Sequence, residues 1–104
     1  MNVIMLRTNG FTAIQNIKNT LKTFQDFVGG YIQVVDITSR HALVVNEEGK
    51  LQGLPVNRKA TTLFQKLCNT TDYIVGDAFI VRKDEEGFTD VSVDSFDVFL
   101  EYME

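Results

Sequence analysis

The chain has 104 residues, enough for one domain, and its hydrophobic content of 44% is too high for a disordered protein. Its single cysteine, Cys68, excludes an intramolecular disulfide, and one cysteine with one histidine excludes the ligand clusters that zinc sites need. No apolar stretch has the length of a membrane span or a signal peptide, so we expect a cytosolic protein.

The net charge of −4 is unevenly distributed along the chain. All ten Lys and Arg precede residue 84 together with six of the fourteen acids, whereas residues 84–104 carry eight acids and no base. This acidic segment has three interpretations: a solvated face, a partner for the basic body of the same chain, or a surface that mimics DNA phosphates. Direct DNA binding is disfavoured by the pI of 4.9, because phosphate contacts need a basic face.

The first third of the chain predicts a β-hairpin followed by a short helix. Residues 2–7 and 11–17 favour strands, and Asn9-Gly10 between them is a strong hairpin signal because both residues tolerate positive φ. Asn19-Thr20 predicts a helix N-cap, and Gly29-Gly30 predicts the end of that helix.

The middle of the chain predicts a second hairpin and then an irregular loop. Residues 31–37 form the clearest strand pattern, and residues 41–45 return as the partner strand. Residues 46–50 predict a turn. In Gly53-Leu54-Pro55, regular structure is expected to stop, with Pro55 stiffening the loop and Leu54 anchoring it in the core.

The last part of the chain predicts two helices separated by a strand. Asn57 is the expected N-cap of a helix that ends near Asn69, and residues 78–81 favour a last core strand. Residues 84–87 predict a charged turn, and an acidic amphipathic helix is expected from about residue 89 onward. The order ββαββαβα predicts an α+β fold, a single domain over residues 1–104 whose mostly antiparallel sheet carries about three helices and whose residues 84–104 end in the acidic helix.

No catalytic constellation is recognisable. His41 at a strand end has the pattern of a surface residue, and Cys68 has that of a small core residue on a helix face. The carboxylates form neither a calcium loop nor a marked catalytic pair, and no phosphate-binding glycine loop occurs. We therefore expect a protein that is not an enzyme and needs no cofactor or metal.

The start of the second helix is the best candidate binding site. Arg58 and Lys59 in the first turn oppose the helix dipole unless an anion is bound there, where backbone N–H groups and both cations would converge. Lys50 is expected to approach from the preceding turn, with polar side chains accepting hydrogen bonds from the edges of a nucleotide-like ligand. The predicted ligand-binding residues are Asn46, Glu48, Lys50, Asn57, Arg58 and Lys59. The alternative is an exposed helix start whose charges are simply solvated.

Several blocks of the sequence resemble one family of short proteins. The blocks are Val28-Gly29-Gly30-Tyr31-Ile32, Leu43 to Leu51, Gly53-Leu54-Pro55, Asn57-Arg58 and Ile74 to Phe79. They resemble the family known only as domain of unknown function thirty-eight forty-six, from about residue 3 to residue 81. The resemblance implies an accessory protein of phages, prophages and mobile elements in the bacterial cytosol, often encoded near anti-restriction genes. It supplies no catalytic residues.

Three functional hypotheses follow. The first is a non-enzymatic counter-defence protein that sequesters a nucleotide-like anionic ligand, with a pocket shared between protomers of a homo-oligomer. The second is a protein–protein inhibitor, anti-restriction or anti-CRISPR, whose acidic surface occupies the DNA groove of a nuclease. The third is a structural or regulatory protein of phage development with neither site.

Overall fold

A computed structural model describes residues 1–104 as a six-stranded antiparallel sheet between helical layers. The elements in chain order are β1 (Asn2–Leu6), β2 (Thr12–Asn16), α1 (Leu21–Val28), β3 (Ile32–Asp36), β4 (His41–Asn46), α2 (Arg58–Cys68), β5 (Ala78–Asp84), β6 (Gly87–Thr89) and α3 (Val93–Tyr102). The α+β prediction is confirmed. None of the three helices is both long and apolar enough to cross a membrane.

The strand order is β2-β1-β5-β4-β3, with β6 paired to the far part of β5. All pairings are antiparallel. The fifth strand is central, so β1 and β4 flank it, and β2 and β3 form the two edges. Sequence patterns did not predict this order because the contacts that set it join distant parts of the chain.

The sheet is buried on both faces. The larger core lies between the sheet and helices α2 and α3, and includes Ile4, Leu6, Leu43, Leu63, Ile80 and Phe99. The smaller core lies under α1 on the other face and includes Val3, Phe24, Val28, Val44 and Phe79. The central strands are therefore almost continuously apolar, as is expected where both faces of a sheet are covered.

The helix ends follow the local signals. The Thr20 side chain accepts from the Thr23 amide at the start of α1, and Gly29 ends this helix with φ of 81°. Asn57 caps α2, and Asn69 ends it in the left-handed conformation. Each of these four residues lies where its type is favoured by local hydrogen bonding or by tolerance of positive φ.

The region after Val81 differs from its prediction. The fifth strand continues to Asp84, and a tight turn returns the chain as β6, where only a charged turn was predicted. The third helix begins at Val93 with Ser92 as its N-cap, not near residue 89, and only Asp94 of the acids lies in its first turn. Asp90 instead accepts a hydrogen bond from the Asn2 amide at 2.7 Å. The acidic segment is thus a hairpin strand followed by a helix.

The ring of His41 is half-buried and packs against the core, so it is not the freely exposed surface residue that was predicted. It packs edge-on against Phe99 of α3 with ring centroids 5.0 Å apart, and Thr38 Oγ1 lies 3.0 Å from its Nδ1. Its Nε2 is buried without a hydrogen-bond partner. Burial of the ring, with a smaller effect of the Arg82 cation, lowers the pKa of His41 below its ordinary value.

This burial makes the free energy of unfolding depend on pH. Below a pH of about 6.5 the unfolded chain binds a proton at His41 that the folded chain resists, so stability is full above that pH and falls as the solution is acidified. We expect urea denaturation to show that the free energy of unfolding of the wild type decreases between about pH 7.5 and about pH 5.5. The His41→Phe variant, which lacks the only imidazole, should show no such loss. Equal pH dependence in both proteins would contradict this account.

Candidate functional site

The six predicted ligand residues form two groups in the structure. Asn46, Glu48 and Lys50 lie at the end of β4 and in the loop that follows, whereas Asn57, Arg58 and Lys59 lie at the start of α2. The hollow that Lys50 lines and the hollow that Arg58 and Lys59 line share no residue. The structure therefore brings Arg58 and Lys59 together but does not bring Lys50 to them. Ligand contact at the six residues stays a prediction.

Asn57 is fully buried and all its polar groups are engaged. Its Nδ2 donates to the carbonyl oxygens of Leu6 at 2.9 Å and Gly76 at 3.0 Å, and its Oδ1 accepts from the Ala60 amide at 3.1 Å. One side chain thus joins the end of β1, the approach to β5 and the first turn of α2. A ligand at this helix start would therefore contact the residues that follow Asn57 on the helix, Arg58 and Lys59, and not the side-chain amide of Asn57.

Asn46 is the other buried polar residue, 5% exposed. Its Nδ2 donates to the Val28 carbonyl and to Gln52 Oε1, both at 3.1 Å, and its Oδ1 accepts from the Glu48 amide at 2.8 Å. These bonds join the end of α1 to the loop after β4. A Cβ atom on Gly30 would lie 3.1 Å from Asn46 Nδ2, which explains a small residue at that position.

The loop between the two asparagines is tightly packed. A Cβ atom on Gly49 would lie 2.8 Å from Val75 Cγ2, and one on Gly76 would lie 2.8 Å from Leu54 Cδ1. The Leu54 side chain therefore packs over Gly76, as expected for the anchor of this loop. A hydrogen bond of 2.8 Å from the Gly76 amide to the Pro55 carbonyl closes the same contact.

Arg58 and Lys59 share a hollow of about 500 Å³ with the β1–β2 turn. Lys59 Nζ donates to the Gly10 carbonyl at 2.9 Å, while the Arg58 side chain is exposed and has neither a hydrogen-bond nor an ion-pair partner in the protein. Because Asn57 accepts from the Ala60 and Thr61 amides, the amides of Arg58 and Lys59 are left as free donors at this helix start. The Arg58 guanidinium and the two free amides are hydrogen-bond donors that an anion can accept from.

Arg7 also lines this hollow, but its guanidinium lies 4.6 Å from the centre of the Phe27 ring of α1. It forms an ion pair with Asp77 at 2.9 Å, and the other carboxylate oxygen of Asp77 accepts from the Thr8 amide at 2.9 Å. Sequence reasoning missed Arg7. Its position follows from the pairing of β1 with β5, which brings the end of β1 to the start of α2, and no local pattern signals that pairing.

Lys50 lies in a different hollow, of about 300 Å³, beside edge strand β3. Its Nζ bonds to Asp72 Oδ1 at 2.5 Å and lies 4.2 Å from the centre of the Tyr73 ring. The hydrogen bond from Lys50, together with one from the Tyr73 amide, lowers the pKa of Asp72. The carboxylate and the aromatic face compensate the charge of Lys50 within the protein, so Lys50 is less available to an anion than Arg58 is.

The acidic side chains of residues 84–104 form no ion pair with the basic body, but Lys66 Nζ donates to the main-chain oxygen of the last residue, Glu104, at 2.6 Å. The four ion pairs of the structure use carboxylates that precede residue 84, namely those of Asp26, Asp36, Asp72 and Asp77. Intramolecular pairing of the acidic segment with the basic body is therefore limited to this one contact of Lys66. Asp84 instead accepts from the Glu86 and Gly87 amides and closes the β5–β6 turn. Asp94, Asp97 and Glu101 are exposed on α3.

The remaining side chains of chemical interest are Cys68 and those that can ligate a metal. Cys68 packs against the larger core, as predicted, and burial raises the pKa of its thiol. No group of three or more His, Cys, Asp and Glu side chains is placed to hold a metal ion.

Comparison with known proteins identifies a family but no relative of known activity. No curated protein and no solved structure matches the chain. One family model matches over residues 1–104, which includes the acidic segment that the sequence blocks did not cover. The chain therefore belongs to the family described as Domain of unknown function (DUF3846).

Proposed function

We propose that this protein is a non-enzymatic binding protein for a small, nucleotide-like anion, which it sequesters at the start of α2. The observation that carries the proposal is that Arg58, which has no partner in the protein, and Lys59 line one hollow at the helix start where two backbone amides are free. Fixed backbone donors and the unpaired guanidinium of Arg58 together match the needs of a phosphate group, because charge-assisted hydrogen bonds to phosphate are short and strong.

The three cations have different roles in this proposal. Arg58 has no partner in the protein, so it supplies the largest gain on binding an anion. Lys59 is held in place by the Gly10 carbonyl, so it presents its positive charge at low entropic cost. Asp77 and the Phe27 ring compensate the charge of Arg7, so Arg7 is less available to an anion. Thr8, Asn9 and Thr62 line the same hollow and offer hydroxyl and amide groups to a sugar or base.

The biological setting in the proposal comes from the sequence resemblance. A phage or mobile-element protein that binds a nucleotide tightly without converting it removes that nucleotide from a host signalling pathway. Counter-defence by sequestration needs no catalytic residue, which is consistent with a hollow lined by cations, polar groups, Met103 and the acidic Glu104 and without a nucleophile beside a base.

Titration calorimetry against a panel of linear and cyclic nucleotides tests the binding site. We expect the Arg58→Gln variant to weaken binding of the best nucleotide by about tenfold, because one charge-assisted hydrogen bond to phosphate is lost. The matched control is Lys22→Gln, which removes an exposed lysine from α1 on the other side of the sheet. It should bind like the wild type. Absence of heat with every nucleotide, or equal losses in both variants, would contradict the site.

A second function is favoured by one feature of α3. Asp94, Asp97 and Glu101 are exposed, unpaired and spaced three and four residues apart, so they lie along one helix face. Such a row of carboxylates suits a protein–protein inhibitor that occupies the DNA groove of a restriction nuclease.

Neutralising this row tests the alternative without removing α3, whose Phe99 and Met103 belong to the core. If the alternative holds, the triple variant Asp94→Asn, Asp97→Asn and Glu101→Gln should lose protection of unmodified phage on a restricting host. The measurement is plating efficiency with the protein expressed in that host. Arg58→Gln should then protect like the wild type, whereas loss of protection with Arg58→Gln alone would favour the anion-binding function.

A further inference from the structure

Strand β3 is an open edge of the sheet with its backbone groups available. The Glu47 amide donates to the Tyr31 carbonyl at 2.8 Å and the Ile37 amide donates to the His41 carbonyl at 3.0 Å, so the odd-numbered residues of this strand face β4. The amide and carbonyl groups of Ile32 and Val34 consequently point away from the sheet, with no strand beside them.

This edge lacks the features that usually prevent strand pairing. It contains no lysine, proline or bulge, and its one charged residue, Asp36, is neutralised by Lys83. Apolar groups are also exposed along it, since Tyr31 is 66% and Val34 is 41% exposed. The opposite edge, β2, presents mainly polar side chains in its exposed part, at Gln15 and Asn16.

We infer that a second copy of this chain pairs with β3 in an antiparallel arrangement, so that two sheets join into one across a two-fold axis. The pairing partner is a second copy of the chain because β3 is complementary to itself in one antiparallel register. With Gln33 opposite Gln33 of the second copy, Ile32 of each chain exchanges both backbone hydrogen bonds with Val34 of the other.

Side chains also fit this register. Tyr31 of one copy lies opposite Val35 of the other, on the face where Gln33 and Val35 line the Lys50 hollow. Asp36 lies opposite Gly30, so no like charges meet. The alternative register, centred on Val34, places Ile32 opposite Asp36 and is disfavoured because it sets an apolar side chain against a carboxylate.

Disulfide trapping tests the pairing in solution. The Gln33 pair is of the closely spaced type, with Cα atoms about 4.5 Å apart, which a disulfide can span. The test protein carries Gln33→Cys and Cys68→Ser, so the engineered thiol is the only one. The matched control carries Gln15→Cys and Cys68→Ser, a glutamine exchanged on the other edge strand. Oxidised glutathione is the oxidant in both.

We expect the Gln33→Cys protein to form covalent dimers roughly tenfold faster than the Gln15→Cys protein, because docking raises the effective concentration of the paired thiols. Adding Val34→Lys to the Gln33→Cys protein should bring its rate down to that of the control, since a lysine on the open edge opposes pairing and Val34 is not in the core. Equal rates for the two cysteine proteins, or a rate that Val34→Lys leaves unchanged, would overturn the inference.

Discussion

The buried amide of Asn57 is the interaction on which the arrangement of this protein depends. It donates to carbonyl groups on two separate segments, at Leu6 and Gly76, and caps α2 with its oxygen. An unpaired amide or carbonyl group at a fully buried position costs about 1–3 kcal/mol. Separating Leu6, Gly76 or the first turn of α2 from Asn57 would leave such a group unpaired, so the three segments stay together. The position of Arg58 and Lys59 beside the β1–β2 turn is a direct consequence.

Asn46 has the same role at the other end of the intervening loop. Together the two asparagines hold residues 47–56 against α1, β4 and β5, and Gly49 and Gly76 allow the close packing between them. Several residues that carry the family resemblance, among them Asn46, Gly49 and Asn57, therefore maintain the loop. The groups left to contact a ligand are exposed cations around this framework, foremost Arg58, together with the open edge of β3 for a second chain.

Sequence reasoning succeeded where the structure is set by neighbouring residues. The caps at Thr20 and Asn57, the helix end at Gly29 and the hairpin at Asn9-Gly10 all depend on groups a few residues apart. It failed where distant segments meet. The place of Arg7 beside the site and the half-buried ring of His41 follow from tertiary packing that no periodicity encodes. Strand β6 forms because it continues the sheet beside β5.

The most direct test of this account is the free energy of unfolding of the Asn57→Ser variant. Serine is as good an N-cap as asparagine but lacks the two donated bonds, so the variant isolates the connection between β1, β5 and α2. We predict a loss of about 2 kcal/mol or more by urea denaturation. Thr20→Ser, which changes the cap of α1 alone, should stay within about 0.5 kcal/mol of the wild type. A similarly small loss for Asn57→Ser would contradict the central role of this amide.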